Sequence, residues 1–344
     1  MTSTANQTTT ARSIVFPERG RVEVQTLELP PLGPTDVRVR TAFSGVSQGT
    51  ERWVMHGRYI RFGDGADGVR YPCRPGYEAA GIVDEVGAEV SGLRPGDHVA
   101  LDGGRVADDA YNHQGPASGC HASAILTPAA RVCRIDEGVD LAAASLYRVA
   151  AVGRHGARLS EIAPDETVVV IGQGMIGQMY AQAARRRGAR VIVSDLLEER
   201  LGLAARHSAD VVVHAGEEDL EAVVRRETGG GADVVADTTG IATMFDSALR
   251  LVRPEGRVCL QGYYPDPIRI NFHDAHLMRV KVVFPCGWDA PDDPDLFDDL
   301  ASGRLVIEPL ITHRLPIAEA QERYAEIVDD PAASLGLVID WSAD

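Results

Sequence analysis

The sequence predicts an α/β protein of two domains: a barrel-like β domain, then a doubly wound parallel sheet, with a C-terminal segment returning to the first domain. Three observations lead there. From about Ser13 to Ala143 the chain runs in short, valine-rich alternating segments closed by Gly, Pro and Asp. From Thr167 onward, near-continuous apolar strands alternate with amphipathic helices, which a parallel sheet covered on both faces requires. A length of 344 residues supports two separate cores.

Taken in order, residues 1–12 are polar, lack the apolar centre of a signal peptide and are expected to be a disordered lead. The β domain, residues 13–145, holds strand signals in IVFPERGRVEVQTLELP, DVRVRTAFSGVS, AAGIVDEVG and DHVAL. Pro95, Gly96 and Asp97 form a tight turn before the last of these. LAAASLYRVAAVGRHGARL reads as a helix, rich in Ala and Leu and free of proline. Over residues 146–290, TVVVIGQGMIGQMYAQAARRRGARVIVSD gives strand, glycine turn, helix and strand. DVVVH, DLEAVVRRE, DVVADTTG, MFDSALRLV and RVCLQGYY continue the alternation. Within residues 291–344, LITHRLPIAEAQERYAEIVDD reads as strand and helix, and LGLVIDW as a last strand that rejoins the first domain.

A net charge of −16 argues against a nucleic-acid surface. No apolar run approaches the ~20 residues that cross a bilayer. No membrane partner is therefore expected, and the cytoplasm is the default compartment. Cys73, Cys120, Cys133, Cys259 and Cys286 lie far apart with no C-x-x-C pair, so small buried apolar residues are expected rather than disulfides or a zinc lobe.

VVVIGQGMIGQ places Gly172, Gly174 and Gly177 as G-x-G-x-x-G directly after a strand, with Met175 and Ile176 opening the helix. Gly172 permits the tight turn, Gly174 lets the backbone approach a pyrophosphate, and Gly177 lets the helix pack close to the strand. The helix N-terminus favours phosphate. Asp195, about 20 residues on at the end of RVIVSD, is placed to hold the 2′-hydroxyl of an adenosine ribose. A carboxylate there repels a 2′-phosphate, so NAD is expected, while Arg200 keeps NADP as the alternative. Thr239, Gly262 and Cys286 with its neighbour Gly287 are candidate nicotinamide neighbours, because ligands bind at the carboxyl ends of such strands.

With SGVSQGTE, RPGYEAAGIVDEVG, LRPGDHVAL, GGGADVVADTTG, RPEGRVCLQG and LITHRLPIAEA, the chain resembles the medium-chain dehydrogenase/reductase superfamily over nearly its whole length. The resemblance implies a GroES-like β-barrel-type catalytic domain, a Rossmann domain and a homodimer. The segment SGVSQGTERWVMHGR with YPCRPGYEAAG is most similar to the subgroup typified by the bacteriochlorophyllide hydroxyethyl dehydrogenases, which oxidise a secondary alcohol. Zinc-dependent members supply Cys, His, then Cys or Glu to a catalytic metal. Those positions fall here on Gln48 (or Ser47), on Tyr77, and on Arg148 (or Tyr147). A glutamine, a neutral phenol and a guanidinium do not replace that set, so no zinc is expected. His113 and His121 near the missing four-cysteine lobe make a weak metal pair.

By the same resemblance Thr50 matches the Ser/Thr that passes the substrate proton onward. Tyr77 is a candidate acid, base or hydrogen-bond donor, and equally a packing residue bonded to Glu51 or Glu78. Arg148 is a candidate cation beside it or an anchor for an anionic group. Glu51 and Glu78 match family acids behind the zinc and are expected to brace the pocket. His56, His155 and His313 are expected to be surface or structural residues. The implied activity is zinc-independent, NAD(P)-linked interconversion of alcohol and ketone on a small-molecule sugar, cyclitol or secondary metabolite. An ene-reductase or quinone reductase, and a non-enzymatic nucleotide-binding redox sensor, are the rival readings.

Overall fold

The first described strands, β1 (Thr10–Val15) and β2 (Glu23–Glu28), pair antiparallel in a small sheet. The computed structural model describes residues 10–59, 69–104, 117–289 and 295–342. Its contacts divide the chain into one unit of Met1–Tyr147 with Ile311–Asp344, and another of Arg148–Leu310.

The first unit is built on β3 (Asp36–Val46), which buries Val37 and Val39 while Arg38 pairs outside with Asp84 and Glu85 at 2.7 and 2.6 Å. β4 (Glu78–Val86), β5 (His98–Asp102) and β7 (Val132–Arg134) follow it antiparallel, and β6 (Ala124–Pro128) also pairs with β3. Val37, Val39, Ala79, Val83, Val99, Leu101, Ile125 and Leu126 form one core, as period-two alternation demands. Helix α1 (Gln48–Met55) leaves the end of β3. The C-terminal return is β14 (Ile311–Pro316), α10 (Ile317–Asp329) and β15 (Gly336–Asp340). β15 lies between β14 and β3, antiparallel to β3, so the last strand joins the first unit. A second core gathers Phe16, Val54, Met55, Leu315, Tyr324, Leu337, Ile339 and Trp341.

The second unit holds a six-stranded parallel sheet. Its strands are β8 (Thr167–Ile171), β9 (Arg190–Asp195), β10 (Val211–His214), β11 (Ala232–Asp237), β12 (Val252–Leu260) and β13 (Lys281–Val283), in the order β10-β9-β8-β11-β12-β13. Val168 and Val170 face one core with Ala181 and Ala184 of α4 (Met175–Arg186). Val169 and Ile171 face the other, with Phe245, Ala248 and Leu249 of α7 (Met244–Leu251). This two-sided burial explains the unbroken apolar strands. After β8 the chain runs to β9 on one side, and β11 lies on the other, which makes the end of β8 a topological switch point.

Four expectations need correction. Thr10–Arg12, expected in the disordered lead, begin strand β1 and pair with Thr26–Glu28 of β2. The run from Leu141 is two helices, α2 (Leu141–Ala144), begun by Asp140 accepting Ala143 N–H at 2.8 Å, and α3 (Tyr147–Leu159), with Ser145 Oγ at the junction donating back to Ala142 O at 2.8 Å. The return to the first unit starts at Ile311, not near residue 291. The intervening α9 (Leu296–Ala301) is held in the second unit by Asp299, a buried carboxylate paired with Arg154, Arg186 and Arg304, and by Val306 N–H to Gln182 Oε1 at 2.8 Å. Cys73, Cys120 and Cys259 are buried, but Cys286 is exposed and Cys133 partly so. Cys286 follows β13, the edge strand of the sheet among the described residues.

Candidate active site

In the second unit the glycine turn has the shape its sequence implies. Gly172 has φ +88°, and a Cβ there would lie 2.9 Å from Thr238 Oγ1. At Gly177 a Cβ would meet Gly172 O at 2.0 Å, so the helix packs hard against the turn. Gly174 caps α4 and has nothing within 4 Å of a would-be Cβ, which leaves the backbone open to a phosphate. Met175 and Ile176 form the first turn of α4, both partly buried.

Asp195 ends β9 with Oδ2 accepting Gln173 N–H at 2.6 Å and Oδ1 accepting Leu197 N–H at 2.9 Å. An ionised carboxylate has about four acceptor sites, so both oxygens retain capacity for a ribose hydroxyl. Arg200 lies in α5 (Glu198–His207), where its carbonyl accepts Gln178 Nε2 at 2.9 Å. These residues fit an adenine dinucleotide.

Three strand ends are stitched together beside the turn. Thr238 Oγ1 lies 3.0 Å from both Ile171 O and Gly172 O. Asp237, fully buried at the end of β11, accepts Thr239 N–H at 2.9 Å and Thr239 Oγ1 at 2.7 Å on one oxygen. Its other oxygen accepts the Tyr264 phenol at 2.6 Å. Burial, then the Asp237 charge, pushes the Tyr264 phenol up from its ordinary range. Gly262 and Gly240 approach so closely that a Cβ on Gly262 would lie 2.4 Å from Gly240 N. In DTTG and LQGYY the sequence singles out Thr239 and Gly262 but not Asp237, Thr238 or Tyr264, and Gln173 carries no signal of its own.

In the first unit, Ser47 precedes α1 and Thr50 is its third residue, partly buried. Gln48 Nε2 donates to Ser334 Oγ. Tyr77 stands just before β4, and its phenol hydrogen-bonds the Ser47 side chain. Burial first, then the charges of Glu78 and Glu51, raises its pKa well above the usual phenol value. This environment favours the neutral phenol.

Glu51 is fully buried. Its Oε1 accepts Ser47 N–H at 2.9 Å, while Oε2 is 2.8 Å from His121 Nε2 and accepts the Tyr324 phenol. His121 Nδ1 lies 2.8 Å from Ser44 Oγ. Both nitrogens of His121 are thus engaged, by Ser44 and Glu51, in the core of the first unit. His113 falls outside the described residues.

Arg148 belongs to the second unit, where its guanidinium lies 4.7 Å over the Trp288 ring. His56 pairs with Asp329 at 2.6 Å, His155 approaches Asp289 at 3.7 Å, and His313 meets Thr312 Oγ1 at 3.0 Å. Among the described residues no group of three or more His, Cys, Asp or Glu is arranged to hold a metal ion. An amide at Gln48, a protonated phenol at Tyr77 and a guanidinium at Arg148 do not fit the donor set of catalytic zinc.

Two family models match the chain: "Alcohol dehydrogenase GroES-like domain" over residues 33–137 and "Zinc-binding dehydrogenase" over residues 176–296. The chain is 31% identical to 2-desacetyl-2-hydroxyethyl bacteriochlorophyllide A dehydrogenase of Cereibacter sphaeroides, over 93% of this chain and 95% of that protein. It is 30% identical to sorbitol dehydrogenase of Arabidopsis thaliana, over 87% of this chain and 86% of that one. Its fold matches the crystal structure of 2R,3R-butanediol dehydrogenase from Bacillus subtilis with a TM-score of 0.82, covering 96% of this chain and 99% of that one at 18% identity.

Proposed function

The chain belongs to the medium-chain dehydrogenase/reductase superfamily, and from that premise we propose that it interconverts a secondary alcohol and a ketone with NAD and without catalytic zinc. The substrate class is a sugar, a cyclitol or a hydroxylated secondary metabolite. The relatives named for a hydroxyethyl bacteriochlorophyllide and for sorbitol support a hydroxyl on a secondary carbon. The observation that carries the reading is the pairing of Tyr77 with Ser47 where the zinc enzymes use a histidine, next to a retained Thr50.

The nicotinamide, when bound, accepts or returns the hydride. The chain's own residues handle the oxygen and its proton. Tyr77, kept protonated by burial and by neighbouring acids, donates a hydrogen bond to the oxygen on which negative charge develops. One such donor is worth roughly 3 kcal/mol of barrier. The Thr50 hydroxyl relays the proton, accepting that of the alcohol as it releases its own toward solvent, and the reverse in reduction, so Tyr77 need not ionise. Asp195 sets the preference for NAD, since its carboxylate accepts a ribose hydroxyl and repels a phosphate ester.

The protein is proposed to work in the cytoplasm as a homodimer. Phe272 and Phe284, 74% and 65% exposed, lie on the segments flanking the edge strand β13, with Ile270 and Leu277 also exposed, and support pairing there. Among the described residues no helix is long and apolar enough to cross a membrane.

Steady-state assays with ketones, secondary alcohols and activated alkenes, each with NADH or NADPH (or the oxidised forms), test the reading alongside metal analysis. Ketone turnover with NADH by protein free of zinc is the expected result. Stoichiometric zinc whose chelation abolishes activity, or turnover of alkenes alone, overturns it.

A further inference from the structure

We propose that His121 is a positioning residue for the oxygen-contacting groups, the relay in a buried hydrogen-bond chain running from Trp341 through Ser44 and His121 to Glu51. The inference rests on the roles given above to Thr50 and Tyr77.

Trp341 is 4% exposed, and Ser44, His121, Glu51 and Tyr324 are wholly buried. Their bonds can be ordered from one end. An indole N–H can only donate, so Ser44 Oγ accepts from Trp341 Nε1 at 2.9 Å. Ser44's own proton can then point at His121 Nδ1, 2.8 Å away, and the Glu51 carboxylate facing Nε2 favours Nδ1 as the bare nitrogen. The ring proton therefore sits on Nε2 and donates to Glu51 Oε2. The partners of the ring thus set its tautomer. Tyr324 donates to the same oxygen, and Oε1 is left to hold Ser47 N–H.

The position of the ring gives the chain its purpose. On one side His121 bonds Glu51, the residue after Thr50. On the other it packs on Gly76, the residue before Tyr77, where a Cβ would sit 2.8 Å from the imidazole. Gly76 also has φ +84°, so glycine is favoured there twice over. One buried ring thus spaces the two segments that carry the hydroxyl and the phenol. Glu51 passes that placement to the start of α1 by pinning Ser47, the partner of Tyr77. Geometry held this way matters steeply, since a displacement of about 1 Å can cost on the order of 100-fold in rate.

The test compares His121→Phe, which keeps a ring and loses both bonds, with His121→Gln, whose amide can still donate to Glu51. Turnover is counted per NADH bound, and hydrogen exchange is followed at the amides of residues 47–51. His121→Phe is expected to lose between about tenfold and 100-fold in kcat, with KM for NAD unchanged and faster exchange at Ser47. His121→Gln is expected to recover most of both. A purely structural role would lower the amount of competent protein and leave turnover per bound NADH alone. If His121→Phe does not fold, Trp341→Phe removes the first donor of the chain. It is expected to leave a mixed His121 tautomer in nitrogen NMR where the wild type shows Nε2–H. Unchanged exchange at Ser47 together with unchanged turnover per NADH overturns the proposal, as does an Nδ1–H tautomer in the wild type. Should the wild type turn over no alcohol or ketone, the function falls, while exchange and tautomer still decide the role of His121.

Discussion

Tyr264 donates its phenolic proton to Oδ2 of Asp237 across 2.6 Å, and so ties the turn after β12 to the end of β11. The same carboxylate holds both the backbone and the hydroxyl of Thr239. With Thr238 bonded to the carbonyls of Ile171 and Gly172, the glycine turn, the Thr239 turn and the Tyr264 turn form one hydrogen-bonded assembly.

Removing the Tyr264 hydroxyl takes one donor from a fully buried carboxylate. Tyr264→Phe is expected to cost about 1–3 kcal/mol of stability, a Tm lower by several degrees, and to weaken NAD binding through the loosened Thr239 turn. Calorimetry and a fluorescence titration with NADH check this. Unaltered Tm and affinity would show that the bond does not hold the turns.

Asp195 accepts Gln173 N–H and is placed for a ribose hydroxyl, so Asp195→Ala loses a turn contact and a cofactor contact. NAD is expected to bind roughly 10- to 100-fold more weakly, the worth of one or two bonds to a charged group. NADP, relieved of a repelling charge, is expected to lose much less. Equal losses for both cofactors would refute the assigned preference.

Thr50→Val keeps the shape of α1 and deletes the hydroxyl. Turnover is expected to drop on the order of 100-fold or more, as for a lost proton-transfer group, with NADH affinity preserved. The discriminating measurement is kcat beside a binding titration on the same preparation.

The fold should weaken in alkali from about pH 9 upward. Burial pushes Cys73 from 9.0 to about 12 and Cys259 from 9.0 to about 11, and holds Tyr71 at about 12 against an ordinary 10.0. A raised folded value means the neutral form is favoured in the native state, so its stability is complete below the unfolded value. That stability is lost as pH climbs through the folded value, here between about 9 and 12. Tm measured across this range should fall, with tyrosinate absorbance from Tyr71 lagging that of a free phenol. A flat Tm would contradict the burial of these groups.

How legible each part was in sequence follows from distance along the chain. Gly172, Gly174, Gly177 and Asp195 fall in one strand–turn–helix–strand run, where each residue's task is dictated by its neighbours, and the structure places them as the spacing implies. Thr50 and Tyr77 were found by resemblance, and the partner of Tyr77 was not. The Glu51 cluster stays hidden because the bonds of His121, Tyr324 and Trp341 within it reach across 70 to 297 positions, and no local pattern marks a histidine as the partner of a distant acid. Cys286 was misread because apolar character predicts burial only where something covers the residue. The helix after Leu141 was read as continuous because propensity sees composition, whereas Ser145 stands at the junction of two helices.

The interrupted path of the first unit sets an order of assembly. The ribosome delivers Arg148–Leu310 without a gap, so the parallel sheet can close before β14 and β15 are made. Until then Phe43–Val46 lacks the neighbour it later finds in Leu337–Asp340, and shows a bare strand edge to the cell. A nascent or truncated chain should therefore be sticky at the stretch that bears Ser44, and chaperone demand should end only when β15 docks.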